Sequence, residues 1–147
     1  MAKSTALDTL IELATSETDE AAKRLGTALR TANETEQKLS LLLQYRDDYT
    51  ARFHAMMANG LSAAGYRNFQ LFLDKLDAAI EGQQQIVAAA QRRIGEERDA
   101  WQASERKRMS YGTLATRAQT AEERKEMRRD QKQTDEIATR QTHYKQR

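Results

Sequence analysis

Residues 55–69 read AMMANGLSAAGYRNF, and this stretch decides the fold. Asn59-Gly60 is a turn signal, Gly65 follows closely, and Ser62 is suited to cap a following helix. Proline, the usual helix breaker, is absent from all 147 residues, so helices of unusual length are allowed on either side. A hinge is therefore expected at about residues 59–65, between a helix over about 4–58 and a second over about 66–140.

Outward from the hinge, apolar residues recur in alternating steps of four and three. Toward the N-terminus the stripe is Leu7, Ile11, Ala14, Thr18, Ala21, Leu25, Ala28, Ala32, Thr35, Leu39, Leu42, Arg46, Tyr49, Phe53 and Met56, of which twelve are apolar. Toward the C-terminus it is Phe69, Leu73, Leu76, Ile80, Gln83, Val87, Ala90, Ile94, Glu97, Trp101, Ser104, Arg108, Tyr111, Ala115 and Ala118, with eleven apolar. A sustained four-three repeat is the signature of a coiled-coil strand.

Two such helices joined by a short hinge bury both stripes by folding back on each other. A fold point near residue 62 sets residue 56 opposite 69, 49 opposite 76 and 7 opposite 118, so the stripes run out together. The expected fold is all-α: one domain over 1–147, a long two-helix antiparallel coiled coil, or helical hairpin, with an overhanging C-terminal helix. Two extended helices in a parallel dimer are the alternative. Beyond Ala118 the chain has no facing partner, and AEERKEMRRDQKQTDEIATRQTHYKQR is mostly charged. Its Glu126–Arg129 and Glu136–Arg140 pairs have ion-pair spacing on a helix. Gly82, Gly95 and Gly112 interrupt the second helix, either as tolerated weak points or as sites of close approach.

Composition agrees with a thin helical protein. Hydrophobic residues are 39% and charged residues 31%, and mean hydropathy is −0.87. There is too little apolar material for a thick core, and the helix-forming bias is that of coiled coils. Cysteine is absent, which fits a reducing compartment. The first twenty residues carry Asp8, Glu12, Glu17, Asp19 and Glu20 and no apolar run, unlike a secretory signal. A cytoplasmic protein is expected. Net charge is +2, but residues 1–91 hold nine Lys/Arg against twelve Asp/Glu and residues 92–147 hold fifteen against ten. The basic end suits an acidic partner.

The sequence offers no catalytic, cofactor-binding or metal constellation. The six glycines are scattered and the two histidines, His54 and His143, stand alone. Adjacent carboxylates such as Asp47-Asp48 do not share a helix face. No enzyme, small-molecule substrate or cofactor is expected. The basic runs ERKRM and ERKEMRRDQK interleave acids and lack a stacking platform, which argues against a nucleic-acid-binding rod. What stands out is LLLQYRDDYTARF, residues 41–53, where Tyr45, Tyr49 and Phe53 follow at four-residue steps. Beside the seam runs a rotated stripe, Lys38, Leu42, Tyr45 and Tyr49. On the second helix Phe72, Leu76, Ala79 and Gln83 do the same at the same level. A two-stranded coil has no third layer to cover them, so an exposed partner-binding patch is expected.

These segments also resemble the FliJ family of the bacterial flagellar type III export apparatus. The resemblance covers nearly the whole chain and is carried by ALDTLIELATSETDEAAKRLG, LLLQYRDDY, NGLSAAGYRNFQLFLDKLDAAI and MRRDQKQTDE. It implies a stalk-like, non-enzymatic coiled coil, monomeric when free and needed for flagellum assembly, motility and chemotaxis. Its implied partners are the export ATPase FliI, through the ring lumen, the export gate protein FlhA, and export chaperones. It would sit peripherally at the cytoplasmic face of the inner membrane. The implied gate-binding residues are Leu42, Tyr45, Tyr49, Phe72, Leu76 and Ala79. Lys38 and Gln83 complete the patch with residues that depart from the family pattern. A virulence secretion stalk or a rotary-ATPase stalk subunit is the alternative.

Overall fold

The computed structural model describes residues 2–145. Helix α1 spans Ala2–Ala58 and α2 spans Ala63–Lys145. The two pack against each other in antiparallel fashion as a helical hairpin.

Local chemistry explains the break between them. Asn59 and Gly60 donate their backbone N–H groups to the carbonyls of Met56 and Met57, at 3.2 and 3.3 Å. These bonds tighten the last turn of α1. Gly60 then adopts φ +85°, the left-handed conformation that reverses a chain after a helix and that glycine adopts without steric cost. Ser62 starts the next helix. Its hydroxyl accepts a hydrogen bond from the Gly65 N–H at 3.1 Å, and its carbonyl begins the backbone ladder at Tyr66, at 2.9 Å. This is N-capping of an otherwise unsatisfied first turn. Gly65 is part of the cap, since a Cβ there would fall 2.8 Å from the Leu61 side chain and 3.3 Å from the capping hydroxyl.

Because the cap acts at Ser62, α2 begins a turn earlier than the glycine pattern suggests, and the reversal is tighter. The register shifts with it. Phe53, rather than residue 56, faces Phe69, with ring centroids 5.1 Å apart. Tyr49 meets Phe69 and Phe72 at 4.9 and 4.5 Å, about one helical turn closer to the hinge than residue 76. The stripes themselves are kept. Every stripe position from Leu7 to Phe53 and from Phe69 to Ala115 is buried or half-buried, while Met56 and Ala118 are exposed.

By internal packing the chain divides into two units. In residues 19–102 the seam changes character along its length. Ala28 and Ala32 of α1 cluster with Ile94 of α2, and Leu25 and Ala90 pack around them. Small residues on one helix let the larger side chains of the other close the gap. Toward the hinge the seam becomes aromatic, with Phe53 also 5.6 Å from Tyr66. Polar stripe positions are each supplied with a partner. Gln83 donates its side-chain N–H to the Thr35 carbonyl at 3.0 Å. The Thr35 hydroxyl turns back to the Ala32 carbonyl at 2.7 Å. Glu97, buried at 8% exposure, accepts from Arg24 Nε across the seam at 3.3 Å and from Arg93 on its own helix at 3.0 Å.

The second unit comprises residues 1–18 and 103–147. Here Ala14 and Thr18 of α1 are buried and Leu7 and Ile11 half-buried, and Ser104, Arg108, Tyr111 and Ala115 of α2 are half-buried. Lys107 reaches Glu17 at 3.7 Å. Arg108 binds Glu105 on its own helix, and this hydrogen bond holds the Glu105 carboxyl below its usual range. From residue 116 to 145 every residue of α2 is exposed. In this overhang the expected Glu126–Arg129 and Glu136–Arg140 ion pairs do not form among the described residues. Long exposed side chains lose rotamer freedom on pairing and gain little in water.

Candidate binding surface

An antiparallel two-helix seam has two flanks, and in residues 19–102 they differ. One is defined by the contact of Glu36 with Gln91, whose amide donates to the carboxylate at 2.7 Å. By heptad spacing it carries Glu36, Leu43 and Thr50 on α1 and Gln70, Asp77, Gln84 and Gln91 on α2. Its large apolar residues are Leu43 and, two heptads earlier and beside Glu36 and Gln91, Leu29. Asp77 also accepts from Arg46 Nε at 2.6 Å, and this hydrogen bond holds the Arg46 guanidinium above its ordinary pKa.

The other flank is defined by the contact of Tyr45 with Phe72, an edge-to-face pair with centroids 6.1 Å apart and planes at 74°. Heptad spacing adds Lys38 and Arg52 on α1 and Ala79, Ile86 and Arg93 on α2. This side is apolar over its middle and basic at its ends. Aromatic pairs in this geometry are worth about 1 kcal/mol beyond their buried area, so the pair also holds its own shape.

The eight residues singled out in sequence do not all lie on the surface. Lys38, Tyr45 and Ala79 are exposed, Tyr45 to 51%. Phe72, Tyr49 and Leu42 are half-buried. Phe72 bridges the two levels, with Tyr45 on its outer side and Tyr49 beneath, 4.5 Å away. Leu76 is core at 6% exposure. It faces the seam, where its heptad position sends it, and supports the flank from below. Gln83 is tied to the Thr35 carbonyl and is likewise a seam residue. Two exposed residues were missed. Ile86, 51% exposed, continues the seven-residue spacing of Phe72 and Ala79. Leu41, 65% exposed, lies four residues before Tyr45 on the same helix face. Both signals were present in the heptad.

The whole chain, and not this flank alone, matches known proteins. The family model for the flagellar FliJ protein matches residues 3–147. The chain belongs to the FliJ family. Flagellar FliJ proteins of Salmonella typhi and of Escherichia coli strain K12 are each 31% identical to it over 140 residues, covering 95% of this chain and 95% of each relative.

Among the described residues, this FliJ-family hairpin offers open grooves along its seam, such as the one at Ala28 and Ala90 between Lys23, Arg24 and Arg93. Those cations are matched by Glu20, Glu96 and Glu97 within ion-pair reach, so the cluster is electrically closed. No group of three or more His, Cys, Asp or Glu side chains among the described residues is placed to hold a metal ion. No helix among them is long and apolar enough to cross a membrane.

Proposed function

We propose that this chain is a non-enzymatic component of the flagellar protein export apparatus, and that the Tyr45–Phe72 flank docks on the export gate protein FlhA. The observation that carries the reading is an aromatic pair left outside the seam of a FliJ-family hairpin. Aromatic side chains give large contact area at low entropy cost and dominate binding hot spots. Lys38, Asp48 and Arg52 form a polar surround that keeps the free protein soluble. Leu42, Tyr49 and Leu76 act as a rigid floor, Ala79 lets the partner approach closely, and Gln83 fixes the floor to α1. On this reading the seam between residues 7–18 and 103–115, with the overhang, serves the export ATPase FliI and the export chaperones. The protein would work at the cytoplasmic face of the inner membrane.

The test is binding of the gate protein's soluble domain to a Tyr45→Ala, Phe72→Ala double variant. Losing such anchors costs about 2 kcal/mol or more, roughly thirtyfold in affinity, with helix content preserved. Unchanged affinity of the folded variant would place the gate site elsewhere.

A further inference from the structure

The overhang of α2 is not uniformly charged. At 3.6 residues per turn, Arg117, Arg124, Lys125, Arg128, Arg129 and Lys132 fall within an arc of about 140°. Glu122, Glu123, Glu126 and Asp130 fall within a separate arc of about 100°. The segregation ends at Asp135, which returns a carboxylate to the basic side. All ten residues are exposed, and none of the six cations is in an ion pair. The basic face is about 22 Å long and stands free along its whole length.

A helix that needed charge only for solubility would mix the signs and gain from spacings of three and four residues. Here Glu122–Lys125 and Glu126–Arg129 stand at a spacing of three, yet neither pair closes, and one sign is turned to each side. We propose that the basic face lies against the surface of an anionic lipid bilayer. Such a partner meets one side of a straight helix and leaves the acidic arc in water. A nucleic-acid groove would enclose the helix and bring those four carboxylates against phosphates. The face also lacks aromatic rings to stack on bases. It carries Ala118 and Ala121 between the cations, and no large apolar residue beyond Leu114, so the helix rests on the headgroups without insertion. The attraction is electrostatic and falls with salt. It is independent of the Tyr45–Phe72 flank, which lies in the other unit, and it acts while the overhang is not engaged by the ATPase or the chaperones.

The test is co-sedimentation of the full chain with phosphatidylcholine vesicles, alone or with about one third phosphatidylglycerol. Each cation near such a surface contributes about fivefold in affinity. The wild-type chain should bind the anionic vesicles only and be released by salt. Lys125→Gln, Arg128→Gln, Lys132→Gln should weaken binding by about a hundredfold. Glu122→Gln, Glu126→Gln, Asp130→Asn, which alters the other side of the same helix, should not weaken it. Circular dichroism on each variant confirms an intact hairpin. Absence of binding to anionic vesicles at low salt overturns the proposal. So does equal loss in both triple variants, or tighter binding to duplex DNA than to the vesicles.

Discussion

Glu97 shows how a single residue can look wrong in sequence and fit in three dimensions. It occupies a seam position that the heptad reserves for an apolar side chain, yet it is buried and doubly bound by Arg24 and Arg93. Both guanidinium groups remain more than half exposed, so their own hydration is kept. Removing the carboxylate by Glu97→Ala deletes two charge-assisted bonds and leaves a gap, and should cost about 2 kcal/mol. Glu97→Leu should recover that loss or exceed it, because a well-packed apolar residue often outperforms a buried ion pair. Denaturant melts of the two variants measure this. If both are equally destabilised, the ion pairs that both variants lack carry the stability, and apolar packing does not replace them. At the same scale, the sequence names Tyr45, which is exposed, Phe72, which is half-buried, and Leu76, which is core. An exposed and a buried residue on neighbouring helix faces carry the same hydrophobic signal. Only the partner helix decides which is covered.

At the scale of the element, α2 carries three interior glycines whose purpose the sequence leaves open. A Cβ built at Gly82, Gly95 or Gly112 meets nothing within 4 Å, so close approach within the chain does not require any of them. Gly60 and Gly65 differ, since a positive φ and a crowded cap account for each. Gly82→Ala and Gly95→Ala should therefore each stabilise the hairpin by about 1 kcal/mol through helix propensity. The gains should add, because the sites are far apart along the helix. Thermal melts of the single and double variants test this. A loss of stability at either site would reveal a conformational demand that the free space does not suggest. The start of α2 was legible only in part. Ser62 was recognisable as a cap, but Gly65 reads as a turn residue in sequence and belongs to the first turn of the helix in the structure.

At the scale of the whole molecule, the hairpin predicted by the two stripes is the fold the chain adopts, but the register between them is not the predicted one. Periodicity fixes which face of each helix is buried and says nothing about sliding one helix along the other by a turn. The hinge geometry and the fit of side chains across the seam set that. Ala32 and Ala90 pack in the same cluster, so cysteines at these two positions should form a disulfide within one chain under mild oxidation. The pair Thr35→Cys, Ala90→Cys, which the looser hinge would favour, should crosslink poorly. Non-reducing electrophoresis separates the outcomes, and crosslinks appearing solely between chains would contradict the hairpin. By itself, then, the sequence determined the all-α class, the length of the helices, the inward face of each, the place of the reversal and the family, because these follow from periodicity, capping chemistry and the order of local segments. Tertiary structure alone decided the register, the partners of Gln83 and Glu97, and the pairing of Tyr45 with Phe72 on one flank. Each of these depends on which side chains face each other across the seam, and a one-dimensional pattern does not contain that distance.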